Sequence, residues 1–381
     1  MSAELKRHPT MQTIDWAASA ARVAEECARA AGAHDAEDRF VAEAYRRLKA
    51  EGFFKALVPV EFGGHGAGFA DICAAIRTLG AACGSTALAF SMHSHLVAVA
   101  AWRWRNDKAP TEGLLKRVAG EDLILVSSGG SDWLKSAGTA KKVEGGFRIS
   151  ARKIFSSGCP AGDLLVTSAV HDDPAAGPTV LHFAVPFKAE GVKILDTWRV
   201  MGMRGTGSHD VELNDVFVAD AAISGRRPQG KWHPLFHAIS MLAFPLIYSA
   251  YMGVADGARA KALSVARKKS DDGYMATVAG EMENAHMTGD IAMAHWIGLA
   301  ETAKPGAETT SRSLACRTIV GASAIRTVEK AMELAGGASF YRDLGLERAF
   351  RDVQAARFHP LQEKPQLRYT GRVALGLDID G

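Results

Sequence analysis

The spacing of apolar positions changes twice along the chain. Over residues 14–120 they recur at helical intervals, and Ala17, Ala21, Ala24, Ala28 and Ala31 fall on one side of a first helix that Thr13 or Asp15 can cap. FKALVPVEFGGHGAGF (54–69) breaks this pattern with a proline and four glycines and reads as a loop. Helices then resume at Asp71, a residue type suited to an N-cap. Between 121 and 222 the segments become short and β-branched: LILVSS, KKVEGG, FRISARKIFSS, DLLVTSAV, PTVLHFAVP, VKILDTW and HDVELNDVFV. Turn residues separate them, and EGG before Phe147 is a hairpin signal. From about 233 to 336 the helical period returns. The first of these helices closes at the basic run Arg267-Lys268-Lys269, and the last closes at Gly336-Gly337.

The predicted organisation is α+β in three parts. An N-terminal α-helical domain (1–120) precedes a middle β domain (121–222), sandwich or barrel-like, and a C-terminal four-helix-bundle domain (223–381). Two stretches without a charged residue, Gly84 to Trp102 and Trp232 to Ala255, modify this picture. The second is long enough to cross a bilayer, but it carries histidines, serines, tyrosines and prolines. Two such helices suit the centre of a bundle, so no membrane span is expected.

Charge adds little. The 45 Lys+Arg against 42 Asp+Glu leave a net +3, which gives no electrostatic case for nucleic acid. Cys27, Cys73, Cys83, Cys159 and Cys316 are scattered and odd in number, as expected of reduced thiols in a cytoplasmic protein, and no metal site is expected. The N-terminal MSAELKRHPTMQTIDW has no apolar core of a secretory signal.

Candidate chemistry is sparse. Gly63, Gly64, Gly66 and Gly68 do not make a dinucleotide fingerprint, because Phe69 occupies the place of the third glycine. His93 and His95, two apart on a helix, do not share a face, so they are core or lining residues, with His93 a candidate substrate contact. In KIFSSGCPAGDLLV (153–166), Phe155 can stack while Ser156 and Ser157 donate hydrogen bonds to a polar ring. In MGMRGTGSHDVELNDVFV (201–218), Arg204 can hold a phosphate or carboxylate or serve as a structural turn arginine, and Ser208 follows it.

Taken together these pieces resemble the acyl-CoA dehydrogenase superfamily of flavoenzymes over nearly the whole chain. VPVEFGGHGAG is similar to its early loop, SSGGSD (127–132) to a shortened flavin-side loop, and RKIFSSG to the strand beside the isoalloxazine. MGMRGTGSHDVELNDVFV is the most specific match, and ELAGGASFYRDLGLERAFRDVQ (333–354) resembles the segment that approaches a neighbouring subunit's FAD. The resemblance implies FAD, with FMN possible, in a dimer or tetramer. It places Phe155 beside the flavin, Ser157 near N5, Ser127 and Ser128 at the pyrimidine side, and Gly336 and Gly337 against the dinucleotide. It also implies a small-molecule substrate, most simply an acyl thioester, and either an electron-acceptor flavoprotein or a flavin reductase as partner.

Desaturation of a thioester needs a base at the alpha carbon. The family commonly places a Glu shortly after its Arg-Asp pair. Here Arg351-Asp352 is followed by RFHPLQEKP, so that His359 and Pro360 fill the Tyr and Glu places and Glu363 comes three residues late. The main expectation is α,β-dehydrogenation with His359, or else Glu363, as a non-standard base. The alternative is a two-component monooxygenase of the same fold, which uses reduced flavin and oxygen and has a histidine aligned with His359. Other polar residues of that subgroup fall on Leu88, Met92 and Leu125 here. A third reading is a catalytically silent flavin-binding subunit.

Overall fold

The structure is a computed structural model of the chain, and it describes residues 14–128, 130–268 and 273–381. Thr13, Gly129 and Lys269 lie outside the described residues.

Helix α1 (Trp16–Ala36) starts on Asp15, whose carboxylate accepts a hydrogen bond from the Ala18 N–H at 2.9 Å. Its buried stripe is Trp16, Ala20, Val23, Ala24, Cys27 and Ala31, while Ala17, Ala21 and Ala28 face solvent. The expected alanine face is therefore displaced. Alanine loses little when exposed, so the larger Trp16, Val23 and Cys27 decide which side turns inward. Helix α2 (Ala42–Ala50) leads into the predicted loop, which holds two short 3-10 turns, Phe53–Lys55 and Val60–Phe62. A β-carbon on Gly64 would stand 2.2 Å from the Val58 carbonyl, so a tight chain reversal explains the glycine cluster. Helix α3 (Phe69–Ala82) is capped by Gly68. Asp71 lies inside its first turn, where a carboxylate still favours the free amides, and is not the cap. Helices α4 (Gly84–Asp107) and α5 (Glu112–Glu121) complete this part.

The middle of the chain forms β1 (Leu125–Ser127), β2 (Thr139–Val143), β3 (Gly146–Lys153), β4 (Leu164–Asp173), β5 (Gly177–Pro186), β6 (Val192–Ile194), β7 (Val211–Ala219) and β8 (Gly225–Pro228). The strands run in the order β6-β7-β3-β2-β4-β5-β8, with β1 parallel to β4. The predicted EGG turn joins β2 to β3 with Gly145 at φ +72°. Two antiparallel leaves meet at a single parallel bridge, Thr139 opposite Val170. Phe147, Ile149 and Leu213 from one leaf and Leu165, Leu181 and Phe183 from the other share one core, as the sandwich-like expectation requires.

The C-terminal part contains α6 (Pro234–Ala266), α7 (Gly273–Thr302), α8 (Ala307–Ala335), α9 (Leu346–Val353) and α10 (Glu363–Ala374). Among the described residues, three long helices and two short ones stand where a four-helix bundle was expected. Gly336 closes α8 at φ +67°, and Arg267 caps α6, both as predicted. Helix α6 is long and apolar enough to cross a membrane, but 94% of its most apolar window is buried inside the protein. Its stretch up to Ala255 is uncharged because other helices enclose it. Its Gly253 and Gly257 press on α3 so closely that their β-carbons would meet the Arg77 and Ala81 carbonyls at 2.1 and 2.4 Å. Arg77 then clamps the crossing through Asp256 at 2.5 and 2.8 Å. The N- and C-terminal helices consequently share one hydrophobic core, which local periodicity cannot reveal.

Candidate functional site

The end of β3 turns sharply. Phe155 adopts φ +57°, an uncommon conformation for a bulky residue, and its ring is 48% exposed, edge-on to Trp198 at 5.9 Å. The turn is stitched to the glycine-rich segment: the Ser156 N–H donates to the His209 carbonyl and the Gly158 N–H to the Thr206 carbonyl. The Ser156 hydroxyl is buried and donates back to the Lys153 carbonyl at 3.4 Å, so it does not face outward as expected.

Ser157 does face its neighbours. Ser208 Oγ lies 2.7 Å from both Ser157 Oγ and Thr206 Oγ1, and Thr206 Oγ1 lies 2.9 Å from the Met203 carbonyl. Each hydroxyl carries one proton and can accept as well. Thr206 donates to the carbonyl and Ser208 donates to Ser157, which leaves the Ser157 proton and a second lone pair for a partner outside the run. Ser208 thus supports Ser157 from behind, where a substrate contact was expected.

The glycine-rich segment is built for close approach. A β-carbon on Gly202 would stand 2.3 Å from the Arg351 carbonyl, and the Met203 N–H donates to Asp352 Oδ1 at 2.5 Å. Burial raises the Asp352 carboxyl to about 6 despite that bond. The Gly205 N–H donates to Ser85 Oγ on α4. Arg204 donates to the Val200 and Asp35 carbonyls and lies 3.5 Å from Asp38. Its Nε and Nη1 are committed to these backbone carbonyls, as in a structural turn arginine.

Ser127 ends β1 and Ser128 follows it, both half-buried. Thr167 donates to Ser128 at 3.1 Å, and Ser127 Oγ is 3.9 Å from Met92 Sδ. The loop that follows is anchored by Lys153, wholly buried, which donates to Asp132 and to the Ala137 carbonyl at 2.6 Å each. Burial lowers the Lys153 ammonium, and Asp132 opposes that. Arg227 holds the Leu134 and Trp133 carbonyls at 2.5 and 3.1 Å. Behind this loop His93 is fully committed. Its Nε2–H donates to the Phe54 carbonyl at 2.6 Å, its Nδ1 accepts from the Leu125 N–H at 2.9 Å, and burial lowers it to about 4. It ties α4 to β1 and has no nitrogen left for a substrate.

The same loop reaches the C-terminal part, because a β-carbon on Gly130 would stand 2.7 Å from Pro360 Cδ. His359 therefore lies beside the loop that follows β1 and does not sit on the open surface. Its backbone is fixed: one Arg317 nitrogen donates to the carbonyls of Ala356, Arg357 and His359 at 3.1, 3.0 and 2.8 Å, and Tyr248 donates to Ala356 at 2.7 Å. The imidazole Nε2 is 2.6 Å from the Tyr251 hydroxyl. Burial, then the charge of Arg317 and the nearness of His95, push His359 down to about 3, so the ring is neutral near pH 7. Tyr251 is pushed well above its ordinary value, chiefly by burial.

Glu363 is exposed in the first turn of α10, 3.5 Å from Lys364, and does not reach inward as expected of a base. Asp256 is held by Arg77 and by His286 at 2.6 Å. Gly336 and Gly337 sit at the open end of α8, with nothing within 4 Å of the Gly337 β-carbon position. Sequence reasoning missed Tyr251, Thr206, Asp352 and Arg317. Tyr248 and Tyr251 were the legible ones. Three apart in the uncharged stretch of a helix, they share a face, and buried phenols need partners.

Two helical parts sharing one core around a sandwich-like β part, with a run of hydroxyls at a strained strand end, make a fold suited to a flavoenzyme. The chain belongs to the acyl-CoA dehydrogenase family: the family's N-terminal domain matches at residues 15–121, its middle domain at 127–216 and its C-terminal domain at 246–363. Among its relatives is YdbM of Bacillus subtilis (strain 168), provisionally an acyl-CoA dehydrogenase, 27% identical over 92% of this chain and 93% of that one. The oxygenase subunit HsaA of a flavin-dependent monooxygenase from Rhodococcus jostii (strain RHA1) is 25% identical over 91% and 95%. Further relatives are nitrososynthases, an N-hydroxylase and a dibenzothiophene monooxygenase. The fold is that of KijD3 solved with FMN and a dTDP-sugar, with a TM-score of 0.87 and 23% identity over 98% and 97% of the two chains.

Proposed function

We propose that this protein is the oxygenase component of a two-component flavin-dependent monooxygenase. It takes reduced flavin from a separate reductase and uses O2 to oxygenate a small molecule. One oxygen atom enters the product and the other leaves as water, with two electrons from the reduced flavin and two from the substrate.

The observation that carries this reading is the group at the base position. Proton abstraction alpha to a thioester calls for a carboxylate, yet Pro360 fills the Glu place and His359 beside it is a neutral imidazole whose Nε2 is already bonded to Tyr251. Glu363 lies in solvent and Asp256 is consumed by Arg77. The mixture of monooxygenases, hydroxylases and nitrososynthases among the relatives supports the same choice.

The residues fit a flavin. An exposed aromatic ring on a strained backbone, next to a hydroxyl that can donate or accept, suits a planar ring with polar edges. When bound, the flavin, as FMN or FAD, supplies the redox chemistry. Phe155 would stack beside the ring, Ser157 would meet its N5 edge, and Ser127 and Ser128 would face its pyrimidine side. His359 would close the opposite wall, with Pro360 packed on the flavin-side loop to exclude water. The proposed assembly is a homotetramer. Phe340, 85% exposed, and Tyr341, 73% exposed, follow the open Gly336-Gly337 and offer apolar surface for a second copy.

Anaerobic titration of the flavin-loaded protein with a panel of acyl-CoAs tests the reading. We expect no bleaching by any of them, and rapid oxygen uptake once reduced flavin is supplied in air. Bleaching with formation of an enoyl thioester would establish dehydrogenation instead.

A further inference from the structure

We infer that Tyr251 is a positioning residue that locks His359 as its Nδ1–H tautomer, so that the imidazole presents a hydrogen-bond donor, not a base, to the site. The chemical consequence rests on the oxygenase reading; the tautomer itself does not.

The geometry leaves one arrangement of protons. Tyr251 Oη and His359 Nε2 are 2.6 Å apart, and Tyr251 is completely buried with no other hydrogen-bond partner among the described residues. A phenol has one proton, and a buried donor left unused forfeits about 1–3 kcal/mol. If Nε2 carried the imidazole proton, two donors would face each other and the phenol proton would have no acceptor. Burial favours the uncharged form of each partner, which removes a tyrosinate–imidazolium pair from consideration. Tyr251 therefore donates to Nε2. A neutral imidazole keeps one N–H, and it lies on Nδ1.

The ring cannot easily turn over to change this. Arg317 grips the His359 carbonyl at 2.8 Å, Tyr248 grips Ala356 three residues earlier, and the rings of Tyr248 and Tyr251 lie 5.9 and 5.5 Å from the imidazole. Nδ1 has no partner among the described residues, and His359 is only half-buried. Its N–H is thus free for a ligand. The atom it selects must be an acceptor: a carbonyl, phenolate or other oxygen, or an amine lone pair on the substrate. An N–H fixed in advance stabilises charge developing on such an atom without reorganisation.

The test is solid-state 15N NMR of the full-length, flavin-free protein labelled at histidine, with His359→Gln to assign the signal. We expect a pyrrole-type Nδ1 and a pyridine-type Nε2 for His359 in the unaltered protein. In Tyr251→Phe, which removes one oxygen atom and is checked for an unchanged fold by circular dichroism, most of the population should move to the Nε2–H form. A pyridine-type Nδ1 in the unaltered protein overturns the inference, even if Tyr251→Phe fails to fold. An unchanged tautomer in a folded Tyr251→Phe overturns the role given to Tyr251. Both spectra are read without flavin. Failure of the oxygenase reading would appear separately, as bleaching by an acyl-CoA.

Discussion

The two proposed walls of the site hold their protons in opposite ways. On the β side, Ser157, Ser208 and Thr206 form a run of hydroxyls at 2.7 Å spacings that ends on a backbone carbonyl. With Ser208 donating to it, Ser157 keeps a proton and a second lone pair, so it can either donate or accept at its outward side. On the helical side, Tyr251, His359 and Arg317 are directional. Arg317 only donates, the buried phenol must donate, and the imidazole is neutral. A bound ring that changes between oxidised and reduced forms exchanges a donor for an acceptor at its edge, and the hydroxyl wall suits that edge. The fixed wall suits a substrate whose polarity does not change.

Removing the helical wall's anchor should have the largest effect. Arg317→Met leaves three carbonyls of residues 356–359 without their shared donor and should cost about 3–5 kcal/mol in urea unfolding. The hydroxyl wall should survive it, so flavin binding at saturating flavin should persist in the folded fraction.

Next in size is the response to pH, where buried histidines and a buried carboxyl pull against each other. His359 and His182 are lowered to about 3, and His93 and His95 to about 4. All four stay uncharged in the fold while the unfolded chain takes up protons below about 6.5. Their contribution is therefore present above pH 6.5 and is lost as pH falls toward 4 and below. Asp352 acts in the opposite sense. Its carboxyl is raised to about 6, so its contribution is present below about pH 4 and is lost as pH rises to 6. Four groups outweigh one, and stability should fall on acidification from pH 7 to 4.5. Asp352→Asn, which still offers Met203 an acceptor, should steepen that fall by at most about 3 kcal/mol. An unchanged slope in chemical denaturation across this range would remove Asp352 from the explanation.

His359→Ala should lower oxygenating turnover at least about tenfold, about 1.4 kcal/mol in barrier, with flavin retained. Turnover within a factor of two would return His359 to a passive role. The smallest effect should come from Ser208→Ala, which opens the hydroxyl run but leaves Ser157 in place. We expect a loss of about 1 kcal/mol in stability and a several-fold change in flavin affinity by fluorescence titration. Ser157→Ala should change affinity or redox potential by more than Ser208→Ala does. The reverse order would mean that Ser157 is not the outward-facing member.

The features legible in the sequence were local ones. Asp15 as a cap, the EGG hairpin, Arg267 and Gly336 as helix ends, and the uncharged run that became α6 all depend on neighbours a few residues away. What escaped was long-range. Arg204 looked free to bind an anion because its partner Asp35 is 169 residues distant. His93 looked like a lining group because Phe54 and Leu125 lie on other elements. Ser156 and Ser157 are neighbours of identical type, and only the fold decides that one turns inward. His359 was identified by its place before Pro360, but its character was not. Tyr251 lies 108 residues earlier in sequence, in a helix whose composition suggested only core.

A crystal structure of the flavin-loaded protein would test the central claim most directly. The account predicts an isoalloxazine stacked beside Phe155, its N5 edge at Ser157 Oγ, and the Nδ1 of His359 as the nearest titratable group on the facing wall. A ring bound elsewhere, or a carboxylate such as Glu363 swung in to face it, would contradict the account.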